Sequence, residues 1–567
     1  MGACRRHPCL RQSRTPNRLR LAKCEIRAGA PKTCRIIRIF AVPAAPKLFT
    51  LRRLFHSLQA RTTMPESYIK RILNARIYDL AVETPLDEAR LISARTGNKV
   101  LLKREDLQPV FSFKLRGAYN KLMQLTEEER NRGVICASAG NHAQGVALGS
   151  QHLGIKATIV MPRTTPAIKV DAVRARGAKV VLHGDSYDEA SAHAKKLVEE
   201  KGMTYIHPFD DPDVIAGQGT IAMEILRQYP GKIDAIFIAV GGGGLAAGIG
   251  AYVKYLRPET KIIAVESDES ACLFAAMEKK KRVVLPQVGI FADGIAVAQI
   301  GEETFRVLRK VVDECITVST DEICAGIKDI FEDTRSIAEP AGATGIAGLK
   351  KYVAKYGITG QTLVAIDCGA NINFDRLRYI SERTEIGEQR EAILAVTIPE
   401  RPGAYKEFCK ALGKRNITEF NYRYADVKDA KIFVGVQVAA GGKDRADLVA
   451  ELRALGYDLV DMTENELAKL HIRHLVGGHA PHVTDEVLYR FEFPERPGAL
   501  MTFLTKVAGR WNISLFHYRN HGSASARVLV GLQVPKKEYA DLKAFLNDLN
   551  YPYWDETKNE AYKFFLG

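Results

Sequence analysis

A series of short apolar segments runs through residues 68–385. The segments are VICAS, ATIVMP, KVVLH, DAIFIAV, KIIAVE and TLVAID, and ten or more residues separate each from the next. Uninterrupted apolar runs of this length are typical of parallel strands that are buried on both faces. Because strands that alternate with helical stretches indicate βαβ units, this region is predicted to be an α/β domain with helices covering its sheets.

An internal repeat follows the charged connector SERTEIGEQREA. The stretch TIPERPGAYKEFCKALGKRNITEFNYRY matches EFPERPGALMTFLTKVAGRWNISLFHYRN, and IFVGVQV then matches VLVGLQV. A shared pattern of this length indicates duplication of one folding unit. The order strand, proline-glycine turn, helix, two strands, helix and short strand predicts a ferredoxin-like βαββαβ unit in each copy.

These patterns divide the chain of 567 residues into four parts. They predict an unstructured basic extension over residues 1–63, an α/β domain over 64–385, and the two repeat units over 391–463 and 487–560. A hydrophobic content of 46% with 26% charged residues is ordinary for a soluble globular protein. No apolar run approaches the length that spans a bilayer, so no membrane segment is expected.

The formal charge of +16 is concentrated in the extension. Residues 1–63 contain 15 Lys and Arg and the single acid Glu25, and so carry +14 of it. The rest of the chain is nearly neutral, which removes the general electrostatic case for nucleic-acid binding.

The extension has three interpretations: an organellar targeting peptide, a disordered basic arm, or translated sequence upstream of the true start. We favour the last, because Met64 opens the folded pattern and because only Ser13 and Ser57 occur where a targeting peptide would be rich in serine. This predicts a cytoplasmic protein. A genuine targeting peptide would instead direct it to a mitochondrion or plastid.

The ten cysteines carry no metal or disulfide signature. Four of them lie in the extension, and the other six are scattered without a CxxC pair. The chain therefore has the cysteine usage of a protein from a reducing compartment, and no metal site is expected.

Three motifs carry candidate chemistry. Lys114 stands between Phe113 and Leu115, and burial against apolar neighbours disfavours the ammonium form, as in lysines that form Schiff bases. The run GGGGLAAG lies between an apolar strand and a helix, where free backbone N–H groups would bind a phosphate. The loop SAGNHAQG could bind a carboxylate through its N–H groups.

The glycine run also fits a different class of enzyme. Gly242, Gly244 and Ala247 match GxGxxA, and Glu266 ends the next strand, as in a dinucleotide-binding fingerprint. A nicotinamide-dependent oxidoreductase is therefore an alternative. Lys114 and Asn141 argue against it, since hydride transfer has no need of a buried amine.

Together the motifs resemble those of the pyridoxal phosphate (PLP) dependent amino-acid dehydratases of the tryptophan-synthase-β-like group, fold type II. Within that group the chain is similar to the biosynthetic threonine dehydratases, from about residue 68 to the end. The segments that carry the resemblance are KREDLQPVFSFKLRGAYNKL, SAGNHAQGVA, VGGGGLAAG, FADGIAV, SIAEPAGA and the C-terminal repeats.

The resemblance implies PLP as cofactor, two α/β subdomains with the cofactor between them, and Lys114 as the Schiff-base lysine. Asn141 would lie beside the 3′ oxygen of the cofactor, and the glycine run would hold its phosphate. The implied cofactor residues are Lys114, Asn141, Gly241, Gly242, Gly243, Gly244, Leu245 and Cys368. The candidates for the substrate carboxylate are Ser138, Gly140 and Asn141. His142 is interpreted as a packing or hydrogen-bonding residue rather than a base.

Cys368 departs from many close relatives, which carry serine facing the pyridine nitrogen. A neutral thiol would not hold that nitrogen protonated, so the ring would be a weaker electron sink, which suits β-elimination. The adjacent Asp367 would reverse this argument if its carboxylate reached the ring instead.

The implied reaction deaminates L-threonine, with L-serine as a further substrate, to a 2-oxo acid and ammonia, and threonine gives 2-oxobutanoate. The repeats resemble the ACT-like regulatory domains of this family, which bind isoleucine as inhibitor with valine opposing it, and a homotetramer is expected. Candidate effector contacts are Arg401, Asn421, Tyr422, Arg496 and Tyr518. The alternatives are repeats that only form oligomer contacts, and a non-catalytic amino-acid sensor.

Overall fold

The computed structural model describes residues 65–399, 404–413, 415, 417–423, 429–474, 484–494, 502–503, 506–507, 510–519 and 525–566, with the backbone alone for parts of the C-terminal strands. The strands are β1 (Leu86–Glu88), β2 (Lys99–Arg104), β3 (Val134–Ala137), β4 (Ala157–Met161), β5 (Lys179–Leu182), β6 (Thr204–Tyr205), β7 (Ala235–Ala239), β8 (Lys261–Ser267), β9 (Glu314–Val318), β10 (Thr362–Asp367), β11 (Glu391–Pro399), β12 (Ile417–Arg423), β13 (Asp429–Gln437), β14 (Asp458–Asp461), β15 (Glu486–Pro494), β16 (Asn512–Arg519), β17 (Ser525–Gln533) and β18 (Tyr553–Asp555).

The α-helices are α1 (Pro65–Leu73), α2 (Arg90–Thr96), α3 (Lys114–Met123), α4 (Glu127–Arg132), α5 (Asn141–Leu153), α6 (Ala167–Arg174), α7 (Tyr187–Lys201), α8 (Pro212–Gln228), α9 (Gly244–Leu256), α10 (Cys272–Lys279), α11 (Glu302–Val311), α12 (Thr320–Thr334), α13 (Pro340–Tyr356), α14 (Arg376–Gly387), α15 (Ala404–Ala411), α16 (Lys443–Ala454), α17 (Glu466–Leu470), α18 (Tyr539–Leu549) and α19 (Glu560–Phe565). None of the helices in these ranges has both the length and the hydropathy that crossing a bilayer requires.

Two sheets form the first part of the chain. The larger has the order β1-β2-β10-β7-β8-β9 and is parallel except for the edge strand β1, whereas the smaller has the order β5-β4-β3-β6 and is wholly parallel. All six apolar segments of the sequence are strands, three in each sheet. The predicted α/β class is confirmed.

The smaller sheet shows why its strands are apolar at consecutive positions. On one face Cys136 and Ile159 pack with Ala118 of α3, and on the other Ile135 packs with Ala190 of α7. Because helices cover both faces, every position along β3 is buried. A strand of this kind shows no alternation of polar and apolar residues.

The C-terminal part contains two antiparallel sheets. Their orders, β12-β13-β11-β14 and β16-β17-β15-β18, are the same when the two repeats are superimposed by sequence. The first repeat runs β11, α15, β12, β13, α16, β14, which is the predicted βαββαβ order. The second contains β15, β16, β17, α18 and β18 at the corresponding places among its described residues.

Helix α3, which begins at Lys114, is held against α8 and α5 by glycine contacts. A Cβ at Gly117 would lie 2.7 Å from the Val214 carbonyl, and one at Gly145 would lie 3.2 Å from the backbone of Leu115. Only glycine permits this approach, since real side chains do not occupy such short distances. The helix that carries the candidate lysine is therefore closely packed on two sides.

A buried ionic network fixes the same helix. Arg116 donates to both oxygens of Glu105 at 2.7 Å and to both oxygens of Glu224 at 2.5 and 2.9 Å, and Lys103 donates to Glu224 at 2.6 Å. All four side chains are fully buried. A buried charge is tolerated only when it is paired and hydrogen-bonded, so these residues fix α3 in one position on β2 and α8.

Replacing Arg116 with Leu should lower the free energy of unfolding by about 3–5 kcal/mol, because Glu105 is left buried without a cation and Glu224 keeps only Lys103. The matched control is Arg71→Leu, which breaks the half-exposed pair of Arg71 with Asp213 and should cost about 1 kcal/mol or less. Chemical denaturation of both variants measures the difference. Equal losses would show that the buried network does not stabilise the fold more than a surface ion pair does.

Candidate active site

Lys114 is placed by a loop that pairs with the end of β10. The Phe113 N–H donates to the Cys368 carbonyl at 3.3 Å, and the Ala370 N–H donates to the Phe111 carbonyl at 2.9 Å. Phe111 has a φ of 54°, a left-handed conformation that is uncommon outside glycine and lets the loop turn here. The pairing holds Lys114 beside Cys368.

The Lys114 amine is half-buried in the cleft between the two subdomains. Its Nζ donates to the Pro208 carbonyl at 3.3 Å and lies 5.3 Å from the centre of the Phe113 ring. Burial lowers the pKa of this amine to about 8, although the nearby Cys368 and Glu339 act in the opposite direction. An appreciable fraction of the amine is therefore uncharged near neutral pH, as a nucleophile must be.

The glycine loop lies between β7 and the start of α9. Its carbonyls are engaged by the protein: Thr304 Oγ1 donates to the Gly242 carbonyl at 2.7 Å, and the Ala247 N–H donates to the Gly243 carbonyl at 2.9 Å. The N–H groups of residues 241–245 are buried and donate to no acceptor among the described residues. Buried N–H groups at a helix N-terminus require an acceptor, and an anion such as phosphate fits.

Glycine is required in this loop for two separate reasons. Gly243 has a φ of 91°, and a Cβ at Gly242 would lie 2.2 Å from the ring of Phe209. Phe209 directly follows Pro208, whose carbonyl accepts the bond from Lys114. The amine and the anion-binding loop therefore contact the same short segment.

The candidate carboxylate loop leads into α5. The Gly140 N–H donates to Ser138 Oγ at 3.3 Å, and the Ser138 N–H donates to the Val160 carbonyl at 3.1 Å. The N–H groups of Ser138 and Gly140, which were expected to bind a substrate carboxylate, therefore donate to acceptors within the protein. The Ser138 hydroxyl, whose oxygen accepts from Gly140, keeps its own hydrogen for a ligand.

The Asn141 side chain bridges the cleft. Its Nδ2 donates to Glu339 Oε1 at 2.6 Å, and its Oδ1 accepts from Asn371 Nδ2 at 2.7 Å. Burial, followed by the repulsion of Asp293, raises the pKa of Glu339 to about 7. Sequence reasoning did not name Glu339 or Asn371, although Glu339 lies in the segment SIAEPAGA and Asn371 is only three residues after Cys368.

Cys368 and Asp367 occupy different environments. The Cys368 thiol donates to the Ala341 carbonyl at 3.2 Å, and burial raises its pKa, so it remains a neutral thiol. It is close enough to Lys114 for each to affect the pKa of the other. Asp367 is buried toward Gly342, where a Cβ would lie 2.8 Å from its Oδ1. The Cys368 thiol, rather than the Asp367 carboxyl, is therefore the group that lies beside the Lys114 amine.

Comparison with known proteins agrees with this geometry. Residues 77–369 match the family model for pyridoxal-phosphate dependent enzymes, and residues 382–472 and 477–566 each match the C-terminal regulatory domain of threonine dehydratase. The biosynthetic L-threonine dehydratase of Burkholderia multivorans is 57% identical over 502 residues, covering 88% of this chain and 99% of the relative. The chain belongs to the biosynthetic threonine dehydratase family.

Two further relatives are similarly close. The mitochondrial threonine dehydratase of Saccharomyces cerevisiae is 50% identical over 536 residues, covering 92% of this chain and 93% of the relative. The solved structure of processed threonine deaminase isoform 2 from Solanum lycopersicum is 50% identical with a TM-score of 0.55, and the match covers 56% of this chain and 93% of that one. The family membership confirms PLP as the cofactor and the fold type II class.

The nicotinamide alternative is wrong for this threonine dehydratase family member. Both oxygens of the Glu266 carboxylate accept backbone N–H groups at 2.8 Å, from Leu273 and from Phe274. The side chain is fully buried in these bonds and caps the start of α10, so it cannot hold a ribose hydroxyl.

His142 is engaged by the backbone, since its Nε2 is bonded to the Ile206 carbonyl at 2.9 Å.

Burial lowers the pKa of His142 to about 3, with the nearby Lys114 adding to the effect. The ring is therefore uncharged at neutral pH and too weak a base to take a proton from carbon. This agrees with its interpretation as a packing and hydrogen-bonding residue.

The predicted effector contacts fall partly outside the described residues, which do not include Arg401 and Arg496. Asn421 and Tyr422 lie on β12, and Tyr518 lies on β16. These strands are edge strands of the two C-terminal sheets, and Tyr422 pairs with Ile432 as Tyr518 pairs with Val528. The tyrosines therefore occupy equivalent places in the two repeats.

Replacing Gly243 with Ala should weaken PLP binding, because it reshapes the loop whose N–H groups are free. Gly177 has a φ of 75° and open space around it, so Gly177→Ala is a matched control for left-handed strain alone. Gly177→Ala should lose about 1–2 kcal/mol of stability, and Gly243→Ala should lose more, because a Cβ at Gly243 would also lie 2.6 Å from Leu308 Cδ1. Only Gly243→Ala should raise the dissociation constant for PLP in a titration of the apoenzyme, and an equal effect of both would exclude the phosphate assignment.

Proposed function

We propose that this chain is a PLP-dependent threonine ammonia-lyase that converts L-threonine to 2-oxobutanoate and ammonia, the committed step of isoleucine biosynthesis, with L-serine as a further substrate. One observation carries the proposal. The amine of Lys114 and the buried, unpaired N–H groups of the glycine loop both adjoin the segment of Pro208 and Phe209. A nucleophilic amine beside an anion site is the arrangement that an aldehyde with a phosphate tail needs.

The proposed cofactor contacts follow from this arrangement. Lys114 would hold the aldehyde carbon, the N–H groups of residues 241–245 would hold the phosphate, Asn141 would hold the 3′ oxygen, and Cys368 would serve the ring nitrogen. Bound PLP supplies a conjugated ring that accepts the electron pair released at the substrate's α-carbon. A neutral Cys368 thiol leaves that ring a moderate electron acceptor.

The residues of the chain then have separate tasks. The Ser138 hydroxyl and the Asn141 backbone N–H bind the substrate carboxylate at the start of α5, and the Gly140 N–H, which donates to Ser138 Oγ, orients that hydroxyl. Lys114 Nζ, whose pKa is lowered to about 8 by burial, takes the proton from the α-carbon. Loss of the α-proton to Lys114 and of the β-hydroxyl as water would leave an enamine, which water would convert to 2-oxobutanoate and ammonia.

The C-terminal repeats are proposed to bind isoleucine as inhibitor, with valine as the opposing effector. The support is a buried ion network that joins them to the catalytic part. Glu466 of α17 accepts from both terminal nitrogens of Arg383 at 2.8 Å and from Arg527 of β17 at 3.1 Å. Arg383 also pairs with Asp321, which accepts from Lys469 at 2.6 Å.

This network gives a physical route for regulation. Arg383 belongs to α14 at the end of the catalytic part, Glu466 to α17, which directly follows the first repeat, and Arg527 to the second repeat, so one carboxylate joins three parts of the chain. A shift between the repeats would alter the pairing of a buried charge, which is energetically steep. A coupling of about 1–3 kcal/mol is enough for clear feedback inhibition.

The domain bounds, the oligomeric state and the location in the cell are also proposals. The domains are taken to span 64–385, 391–463 and 487–560, and the enzyme is taken to be a homotetramer. A cytoplasmic location is proposed if residues 1–63 do not direct import. The yeast relative, by its name, is mitochondrial, so import into an organelle is the alternative.

Lys114→Ala should abolish both the visible absorbance of bound PLP and the formation of 2-oxobutanoate, because the only proposed covalent link and proton acceptor are removed together. Lys310→Ala, at an exposed position on α11, is the control. A coupled assay for 2-oxobutanoate and an absorbance spectrum of each purified protein test this prediction. Normal deamination of threonine by Lys114→Ala would exclude the assignment.

Glu466→Gln should raise the isoleucine concentration needed for half-inhibition by about fivefold or more, since the charge that joins the catalytic part to both repeats is lost. Uninhibited activity should stay close to that of the wild type. Glu464→Gln, whose side chain is largely exposed, is the matched control. An unchanged isoleucine response in a folded Glu466→Gln enzyme would exclude this network as the coupling route.

A further inference from the structure

The amide of Asn141 is held from both sides across the cleft. Asn141 begins α5 on the smaller subdomain, whereas its two partners, Glu339 and Asn371, lie in loops of the larger one. The Asn141 Nδ2 donates to Glu339 Oε1 at 2.6 Å, and the Asn371 Nδ2 donates to Asn141 Oδ1 at 2.7 Å. Each end of the amide therefore has a defined partner.

The orientation of this amide follows from the hydrogen-bond network. Asn371 Nδ2 also donates to the Val110 carbonyl at 2.7 Å, and a carbonyl can only accept. The Asn371 NH2 group must consequently face both Val110 and Asn141. It follows that Asn141 presents its oxygen to Asn371 and its own NH2 group to Glu339.

Glu339 is itself fixed. Its backbone N–H donates to the Gly369 carbonyl at 2.9 Å, and a Cβ at Gly369 would lie 2.7 Å from its Oε1. The residue is only 4% exposed. The carboxyl thus lies in a space that Gly369 leaves open, and it takes one of the two hydrogens on Asn141 Nδ2.

We propose that Glu339 and Asn371 are positioning residues that fix the Asn141 amide, so that the second hydrogen on Nδ2 is kept for the 3′ oxygen of the cofactor. This inference rests on the proposed function, which places Asn141 at that oxygen. The 3′ oxygen belongs to the conjugated ring, so a donor held beside it affects both the absorbance and the affinity of the bound cofactor. The family match assigns no role to either of these two residues.

The role of Glu339 as acceptor does not require a charge. The charged groups that face Glu339 oppose one another: Asp293 raises its pKa, while Lys169 and Arg376 lower it, and burial outweighs all three. A carboxylate, a carboxylic acid and a carboxamide all offer an oxygen to the Asn141 N–H. Glutamine at position 339 should therefore keep the bond, and alanine should lose it.

The test uses the full-length holoenzyme with the variants Glu339→Ala, Glu339→Gln and Asn371→Ala. Glu339→Ala and Asn371→Ala should shift the absorbance spectrum of bound PLP and raise its dissociation constant about tenfold, the effect of one lost hydrogen bond to a well-placed group. Glu339→Gln should restore the wild-type spectrum and affinity. Glu302→Ala, an exposed glutamate of α11, controls for the loss of a carboxylate.

Two results would overturn the proposal. One is an unchanged spectrum and PLP affinity in Glu339→Ala. The other is a Glu339→Gln enzyme with the same spectral shift and the same loss of PLP affinity as Glu339→Ala, which would show that a hydrogen-bond acceptor at position 339 is not what fixes the amide. Failure of the proposed function itself is distinguishable, because the wild-type protein would then lack the visible absorbance or would form no 2-oxobutanoate.

Discussion

The site depends on the hydrogen bonds that join the loop before α3 to the end of β10. They bring together two segments more than 250 residues apart in the chain and place Lys114 beside Cys368. The same segment of β10 continues to Asn371, which reaches Asn141 on the other subdomain. A single local pairing thus aligns the amine, the thiol and the cross-cleft amide. A small displacement of this loop would move all three groups relative to one another.

Buried charge has two structural roles in the molecule, both at places where elements must not shift. Arg116 holds the helix that carries Lys114, and its partners are Glu105, directly after β2, and Glu224 of α8. Glu466 joins the catalytic part to the repeats through Arg383 and Arg527. Apolar contacts would tolerate sliding, whereas a buried ion pair loses several kcal/mol when its geometry fails. The first network therefore fixes the helix of the candidate lysine, and the second ties α17 to α14 and to the second repeat.

The periodicity of the chain predicted its elements well. Each of the six apolar segments is a parallel strand, because burial on both faces removes the polar positions that would interrupt them. The strand β2, with charged residues at both ends, and the half-buried β9 did not stand out. Their place in the sheet comes from neighbouring strands rather than from their own pattern. The pattern also did not predict that the six segments divide into two sheets of three, since local hydrophobicity carries no information about which strands pair.

By itself the sequence determined the class of fold, the duplicated C-terminal unit and the cofactor, and it predicted the lysine, because each depends on residues that are adjacent in the chain. Tertiary structure decided the rest. It showed that the Glu266 carboxylate accepts two N–H groups of α10. It also showed that Cys368 rather than Asp367 lies beside the lysine, and that Glu339 and Asn371 are hydrogen-bonded to the Asn141 amide. These facts depend on distances between residues far apart in sequence. Hydrogen bonds and desolvation act through space, and only the folded chain fixes those distances.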